Sequence, residues 1–194
     1  MKTDLDQLII DCRAALEEEH SRAALREVLE RVVSRPRDLM GALPAPRQQS
    51  VVVHAADDLT IMQVVNAPGF SLYPHDHGLW SACAFYSGRE HNTYWRRTAR
   101  GLEKANGKEY GEGDVVTMGT DVVHSIENPL RTNNAALHVF AGNLFATPHR
   151  QWDPDTLQEA PFDNAYMKTA YPSPATQPAE SNETLWRHGC MLGL

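Results

Sequence analysis

The sequence predicts an all-β barrel with helices added in front of it and an irregular tail behind. Three observations carry that reading. Between residues 50 and 146 seven or eight short β-rich runs follow one another, with turns at about 8–12-residue intervals, the rhythm of a sandwich or barrel. No helical pattern alternates with these runs, which disfavours a doubly wound α/β fold. Helical periodicity is confined to the first 47 residues.

The elements follow in order. Leu5, Leu8, Ile9, Cys12 and Leu16 recur at three- and four-residue steps, the spacing of one helix face. Ala24, Leu25, Val28, Leu29, Val32 and Val33 repeat it in a second helix. Pro36 and Pro44-Ala45-Pro46 are expected to end this helical cap, residues 1–47. The barrel, residues 48–146, is read from Ser50–His54, Leu59–Val65, Ala82–Tyr86, Thr93–Arg96, Asp114–Met118, Val122–Ile126 and Ala135–Phe140. Residues 147–194 carry Pro148, Pro154, Pro161, Pro172, Pro174 and Pro178, and read as an irregular wrap. At 194 residues the three zones make one structural domain with attachments.

Charge and composition narrow the function. Lys plus Arg is 18 and Asp plus Glu is 25, a formal charge of −7. A nucleic-acid binder is expected to show a basic excess, and the acidic helices (Glu17-Glu18-Glu19) offer no basic recognition face. No apolar run approaches the roughly 18 residues of a membrane span. The start, Met1 to Arg13, carries acids where a secretory leader needs a basic and then an apolar stretch, so the expected address is the cytoplasm. Cys12, Cys83 and Cys190 are few and widely spaced, with no CxxC, which suits a reducing compartment and argues against a thiolate zinc site.

The nine histidines are the informative residues. His75 and His77 flank Asp76 in Tyr73-Pro74-His75-Asp76-His77-Gly78. On an extended strand, residues two apart share a face, so both imidazoles can reach one metal ion. Gly69 and Gly88 bracket the pair at expected turns, and Gly113-Asp114-Val115-Val116-Thr117-Met118-Gly119 leads to His124 and Asn128. The stretch 69–88 resembles the first cupin motif, and 113–128 the second. That resemblance implies the cupin double-stranded β-helix, a jelly-roll barrel, with His75, His77 and His124 as ligands to a metal inside it. The glutamate that four-ligand cupins carry after the second histidine is missing, because Ser81 and Ala82 stand there. The second motif departs too, reading Gly119 and Asp121 where proline and glycine are usual. The implied centre therefore has three neutral ligands and open positions. It suits anionic substrates that offset the metal's charge; zinc generating a hydroxide is the rival to iron.

Within the cupins the chain is similar to the thiol dioxygenases, the cysteine and 3-mercaptopropionate dioxygenase group. The residues are Pro74-His75-Asp76-His77, Gly88, Val122–Asn128 and Leu137-His138-Val139-Phe140. The likeness spans roughly 65–145, and also reaches other three-histidine cupins through Gly88-Arg89-Glu90, Trp95-Arg96-Arg97 and Trp152-Asp153-Pro154. It implies Fe(II), with Zn, Ni or Mn as alternatives and no organic cofactor, and O₂ inserted into a small thiol acid to give a sulfinate. The Ser-His-Tyr relay of that group reads Ala136, His138 and Phe140, so only the histidine is kept. With no phenol at 140, no thioether to Cys83 is expected.

Arg96 and Arg97 are neighbours on an expected strand, so one faces inward. A buried guanidinium needs an anion, either a substrate carboxylate or an internal acid such as Glu90 or Glu103. Arg150 is a further carboxylate candidate, with His149 beside it able to occupy the spot. Tyr73 and Trp80 flank the metal motif and either wall the substrate pocket or pack in the core. His138 is the candidate acid, base or anion-orienting group, and Tyr166 or Tyr171 are candidates to replace the missing phenol. The expected partners are a small substrate and O₂, with no nucleic acid and no membrane, and a monomer or homodimer. An Fe(II) dioxygenase on a thiol acid leads. A diketone or enol-acid oxygenase, a non-oxidative Zn or Ni enzyme and a ligand-binding cupin are the alternatives.

Overall fold

The computed structural model describes residues 4–44 and 50–163. Tyr166, Tyr171, His188, Cys190 and most of the expected wrap lie outside the described residues. Three helices come first: α1 (Leu5–Glu17), α2 (Ser21–Val33) and α3 (Pro36–Ala42). Asp4 caps α1, its carboxylate accepting from the backbone N–H groups of Asp6 and Gln7. The third helix corrects the sequence reading, which took Pro36 as a stop. Proline at the first helical position has no N–H to lose and its φ is already helical, so Pro36 opens a helix here.

Among the described residues eleven strands follow: β1 (Ser50–Ala55), β2 (Thr60–Asn66), β3 (Ser71–His75), β4 (Ser81–Ser87), β5 (Arg89–Thr98), β6 (Gly101–Gly111), β7 (Val115–Met118), β8 (Val123–Glu127), β9 (Asn134–Phe140), β10 (Arg150–Trp152) and β11 (Glu159–Pro161). They form two sheets, ordered β1-β2-β9-β4-β7 and β11-β10-β3-β8-β5-β6. The antiparallel pairings nest: β2 with β9, β3 with β8, β4 with β7, β5 with β6. A long hairpin wound on itself in this way is an eight-stranded jelly roll, the expected double-stranded β-helix. β1, β10 and β11 extend its edges.

Side-chain alternation gives the first sheet two different faces. Ile61, Val65, Ala82, Ala84, Tyr86, Ala135, Leu137 and Val139 point outward and pack on Leu8, Cys12, Leu25, Leu29 and Leu39 of the helices. Each fully buried Leu there is worth about 1.5–3 kcal/mol of burial. The other parity, including Met62, Val64, His138 and Phe140, points into the barrel.

Three strands, β6, β10 and β11, go beyond the sequence reading. β6 was not expected, because only Leu102 and Tyr110 of its eleven residues are buried; Glu103, Lys104, Lys108 and Glu109 leave no apolar alternation. Its pairing with β5, from Arg89 opposite Gly111 to Thr98 opposite Gly101, holds it in place. β10 and β11 give regular structure to part of the tail that read as irregular. Gln151 pairs with His75, which brings the tail against the metal motif.

Candidate metal centre

His75 is the last residue of β3, and His124 lies on β8 directly opposite it. His77 follows two residues after the strand ends, so the HxH pair is not carried by one strand as the spacing argument assumed. A turn at Gly78 delivers it instead. Gly78 has φ of +62°, and a Cβ there would stand 2.5 Å from the Pro148 carbonyl oxygen. Only glycine fits without displacement.

The three imidazoles converge. Their ligand nitrogens all lie within 4.8 Å of one another. Two nitrogens at about 2.1 Å from one tetrahedral ion stand about 3.4 Å apart. His77 Nε2 and His124 Nε2 are 3.4 Å apart.

The far side of each ring is held. His75 Nδ1–H donates to the Tyr73 carbonyl at 3.0 Å, and His124 Nδ1–H to Asn92 Oδ1 at 2.8 Å. His77 Nδ1 is 3.2 Å from the Ser81 hydroxyl. A carbonyl can only accept, so the Nε2 lone pairs of His75 and His124 are free to face the common point. Burial also keeps the rings uncharged. It lowers the pKa of His75 to about 4, and holds His77 and His124 well below the ordinary imidazole value, neighbouring histidines adding to the effect. Neutral imidazole is the form that binds metal. The donor set therefore fits a divalent ion held by His75, His77 and His124.

These histidines open onto a cavity of about 100 Å³, room for a small molecule and a few waters. Its walls are apolar (Met62, Leu72, Ile126, Phe140, Phe145 and Phe162 among them) with His138 and His149 as added polar groups. His138 is buried, its Nε2 has no hydrogen-bond partner among the described residues, and burial lowers its pKa to about 4. No Arg or Lys is among the described lining residues.

The remaining sequence candidates lie elsewhere. Arg96 is 70% exposed and meets Glu103. Arg97 pairs with Asp76, donates to the Asp121 carbonyl at 2.6 Å and stands over Trp152. Arg150 pairs with Glu159. All three line an outer cleft behind the metal turn, away from the cavity. Of the two partners weighed for the arginines, a substrate carboxylate or an internal acid, the structure supplies acids. Asp76 is the central one: it accepts from Arg97 and from the Arg150 backbone N–H at 2.7 Å, which ties the ligand turn to β5 and β10. Tyr73 turns away from the cavity and donates to Gln151 Oε1 at 3.0 Å. Trp80 packs on the helix side of the first sheet, with Arg22 over its ring.

His149, read from the sequence only as a neighbour able to take the Arg150 spot, reaches the cavity wall, where its ring lies 4.5 Å from that of Phe162, which sequence reasoning missed. That reasoning also missed the outer supports Ser81, Asn92 and Glu90. Asn92 carried a usable signal: strand parity places it on the same face as Tyr94, opposite His124.

No protein-family model matches the chain, and no curated protein matches it in sequence. Solved structures do. The DMSP lyase DddQ from Ruegeria pomeroyi is 19% identical over 55% of this chain and 52% of its own, with a TM-score of 0.45. A cupin-family protein with a double-stranded β-helix fold from Methanocaldococcus jannaschii is 17% identical, covering 53% of this chain and 89% of its own, TM-score 0.43. Oxalate decarboxylase from Bacillus subtilis is 21% identical over 50% of this chain but only 25% of its own, TM-score 0.41. The nested strand order carries the fold assignment.

Proposed function

We propose that the chain is a non-haem Fe(II)-dependent dioxygenase whose substrate is a small, largely apolar molecule that reaches the metal as an enolate. The observation that carries this reading is the cavity itself, with three convergent neutral imidazoles, apolar walls and no Arg or Lys among the described lining residues. His75, His77 and His124 would hold the Fe(II), which would supply charge for an anionic substrate oxygen and reactivity toward O₂, both atoms of which would enter the product.

The chain's own residues select the substrate. Burying a carboxylate without a cation costs several kcal/mol, and Arg96, Arg97 and Arg150 are engaged outside the cavity. That favours the diketone or enol class over the thiol acid implied by the sequence resemblance. An enolate brings one negative charge, which a dication held by the three histidines would offset. Phe140, Phe162, Leu72 and Ile126 pack the apolar remainder and exclude water. The neutral ring of His138 presents Nε2 to the substrate's second oxygen, orienting it without adding charge.

Oxygen uptake tests the proposal. Protein stripped of metal and reloaded anaerobically with Fe(II) is offered β-dicarbonyl compounds, with thiol acids as the second arm. Uptake matched by carbon–carbon cleavage products is expected with the dicarbonyls. Uptake with a thiol acid, matched by sulfinate, would restore the thiol class. Substrate loss that continues without O₂, or silence across both arms in iron-loaded protein, would overturn the oxygenase reading.

A further inference from the structure

A buried acid lies behind the metal-facing histidines, and no described cation balances it. Glu90, on β5, is 2% exposed. Asn66 donates through Nδ2 to its Oε2 at 2.9 Å, and Asn92 through Nδ2 to its Oε1 at 2.9 Å. The second contact fixes the direction of the Asn92 amide. Its nitrogen faces Glu90, so its oxygen faces the other way and accepts from His124 Nδ1–H. A directed chain of hydrogen bonds thus runs from the carboxylate, through one amide, to an imidazole whose Nε2 faces the metal position.

The sheet builds this chain by register. Glu90 and Asn92 are two apart on β5 and share its inner face. Asn92 pairs with Ile126 and Tyr94 with His124, which makes Asn92 and His124 diagonal neighbours on that face. The ionisable groups beside Glu90 are Cys83 and Tyr94, both kept neutral chiefly by burial. Burial also pushes Glu90 itself up to about 7, against the two amide donors that favour its charged form. A dication beyond His124 favours that charged form as well.

We propose that Glu90 is a positioning residue for the metal centre: through Asn92 it fixes the His124 tautomer and supplies, one amide removed, the negative charge that three neutral ligands lack. This rests on the three-histidine centre but not on the oxygenase reading. Its cost is a buried acid, so removing the charge is expected to weaken the metal site without weakening the fold.

Co(II) binding to the metal-free protein, followed by calorimetry and by the ion's visible absorption at pH 8, tests it. Glu90→Gln keeps the shape but turns one acceptor into a donor facing an amide N–H₂. Co(II) affinity is expected to fall about 10- to 100-fold. The double variant Glu90→Gln, Asn92→Asp restores a matched donor–acceptor order and moves the carboxylate one step nearer. It is expected to regain the lost affinity, which a purely structural role for Glu90 would not produce. If Glu90→Gln does not fold, Asn92→Ala breaks the chain in its place, with the same loss expected. Wild-type Co(II) binding that none of the folded single variants weakens overturns the relay alone, as does a folded double variant that stays weak. A wild type that binds no Co(II) overturns the centre and the relay together.

Discussion

Replacing His138 with leucine isolates one consequence of lining a cavity with buried imidazoles. The ring is 7% exposed, and burial lowers its pKa from 6.5 to about 4, with His75 adding to the shift. The folded-state value is depressed on a base. Stability is therefore fully present above the unfolded value of 6.5 and is lost as the pH falls toward 4. At pH 5 the unfolded chain holds a proton on this ring and the folded chain does not, a deficit of about 2 kcal/mol; at pH 8 it is close to zero. Leucine removes that deficit. It also removes a buried nitrogen with no described partner, worth about 1–3 kcal/mol at any pH. Urea unfolding of the metal-free protein at the two pH values reads both effects. The variant is expected to match or exceed the wild type at pH 8, and the gap to widen by about 2 kcal/mol at pH 5, roughly 1 M in midpoint. An equal gap at the two pH values would refute the claim that burial holds this imidazole neutral.

Three further outcomes follow from the geometry. His124→Ala is expected to lose tight divalent-metal binding while keeping the far-ultraviolet circular dichroism of a folded barrel; undiminished metal content would remove the three-histidine centre. Asp76→Ala takes a buried acceptor from Arg97 and from the Arg150 backbone, and should cost about 2 kcal/mol in denaturant unfolding after allowing for Arg97's partial exposure. Arg96→Ala, which breaks an exposed pair with Glu103, should cost under about 0.5 kcal/mol, and comparable losses in the two variants would contradict the clamp assigned to Asp76. Gly78→Ala forces a side chain against the Pro148 carbonyl at positive φ, and is expected to weaken metal binding more than about tenfold, since small misplacements of a site are costly; wild-type affinity would show that the turn does not aim His77.

The strands and the three ligands were legible because they rest on local rules. β4 and β9 announce themselves by apolar runs, and the candidate ligand set was read from the resemblance of residues 69–88 and 113–128 to the cupin motifs. What was not legible depends on contacts between distant segments. β6 has almost no buried residue, so only its pairing with β5 defines it. Strand parity states that Arg96 and Arg97 point to opposite sides, but not that Asp76 waits for one of them outside the cavity. Tyr73 and His75 are two apart, yet His75 lines the cavity and the Tyr73 hydroxyl turns to Gln151, because the strand pairing slips between Leu72 and His75. His149 and Phe162 reach the cavity only because the tail pairs with β3, and no periodicity near residue 150 encodes that.

The supports of the three imidazoles come from three different strands, and this ties metal binding to folding. The Tyr73 carbonyl belongs to β3, Ser81 to β4 and Asn92 to β5. β4 lies in one sheet, β3 and β5 in the other, so the full set of supports is assembled only when the two sheets have wrapped around each other. An ion that binds only this assembled state adds its binding energy to the stability of the fold, about 2.7 kcal/mol at a hundredfold excess over its dissociation constant. Protons and the metal compete for the same imidazoles. Burial already disfavours the proton at all three ligands. The acid sensitivity of the metal-free barrel and its capacity to hold a divalent ion therefore have one origin, a set of neutral rings buried where water cannot stabilise their charged form.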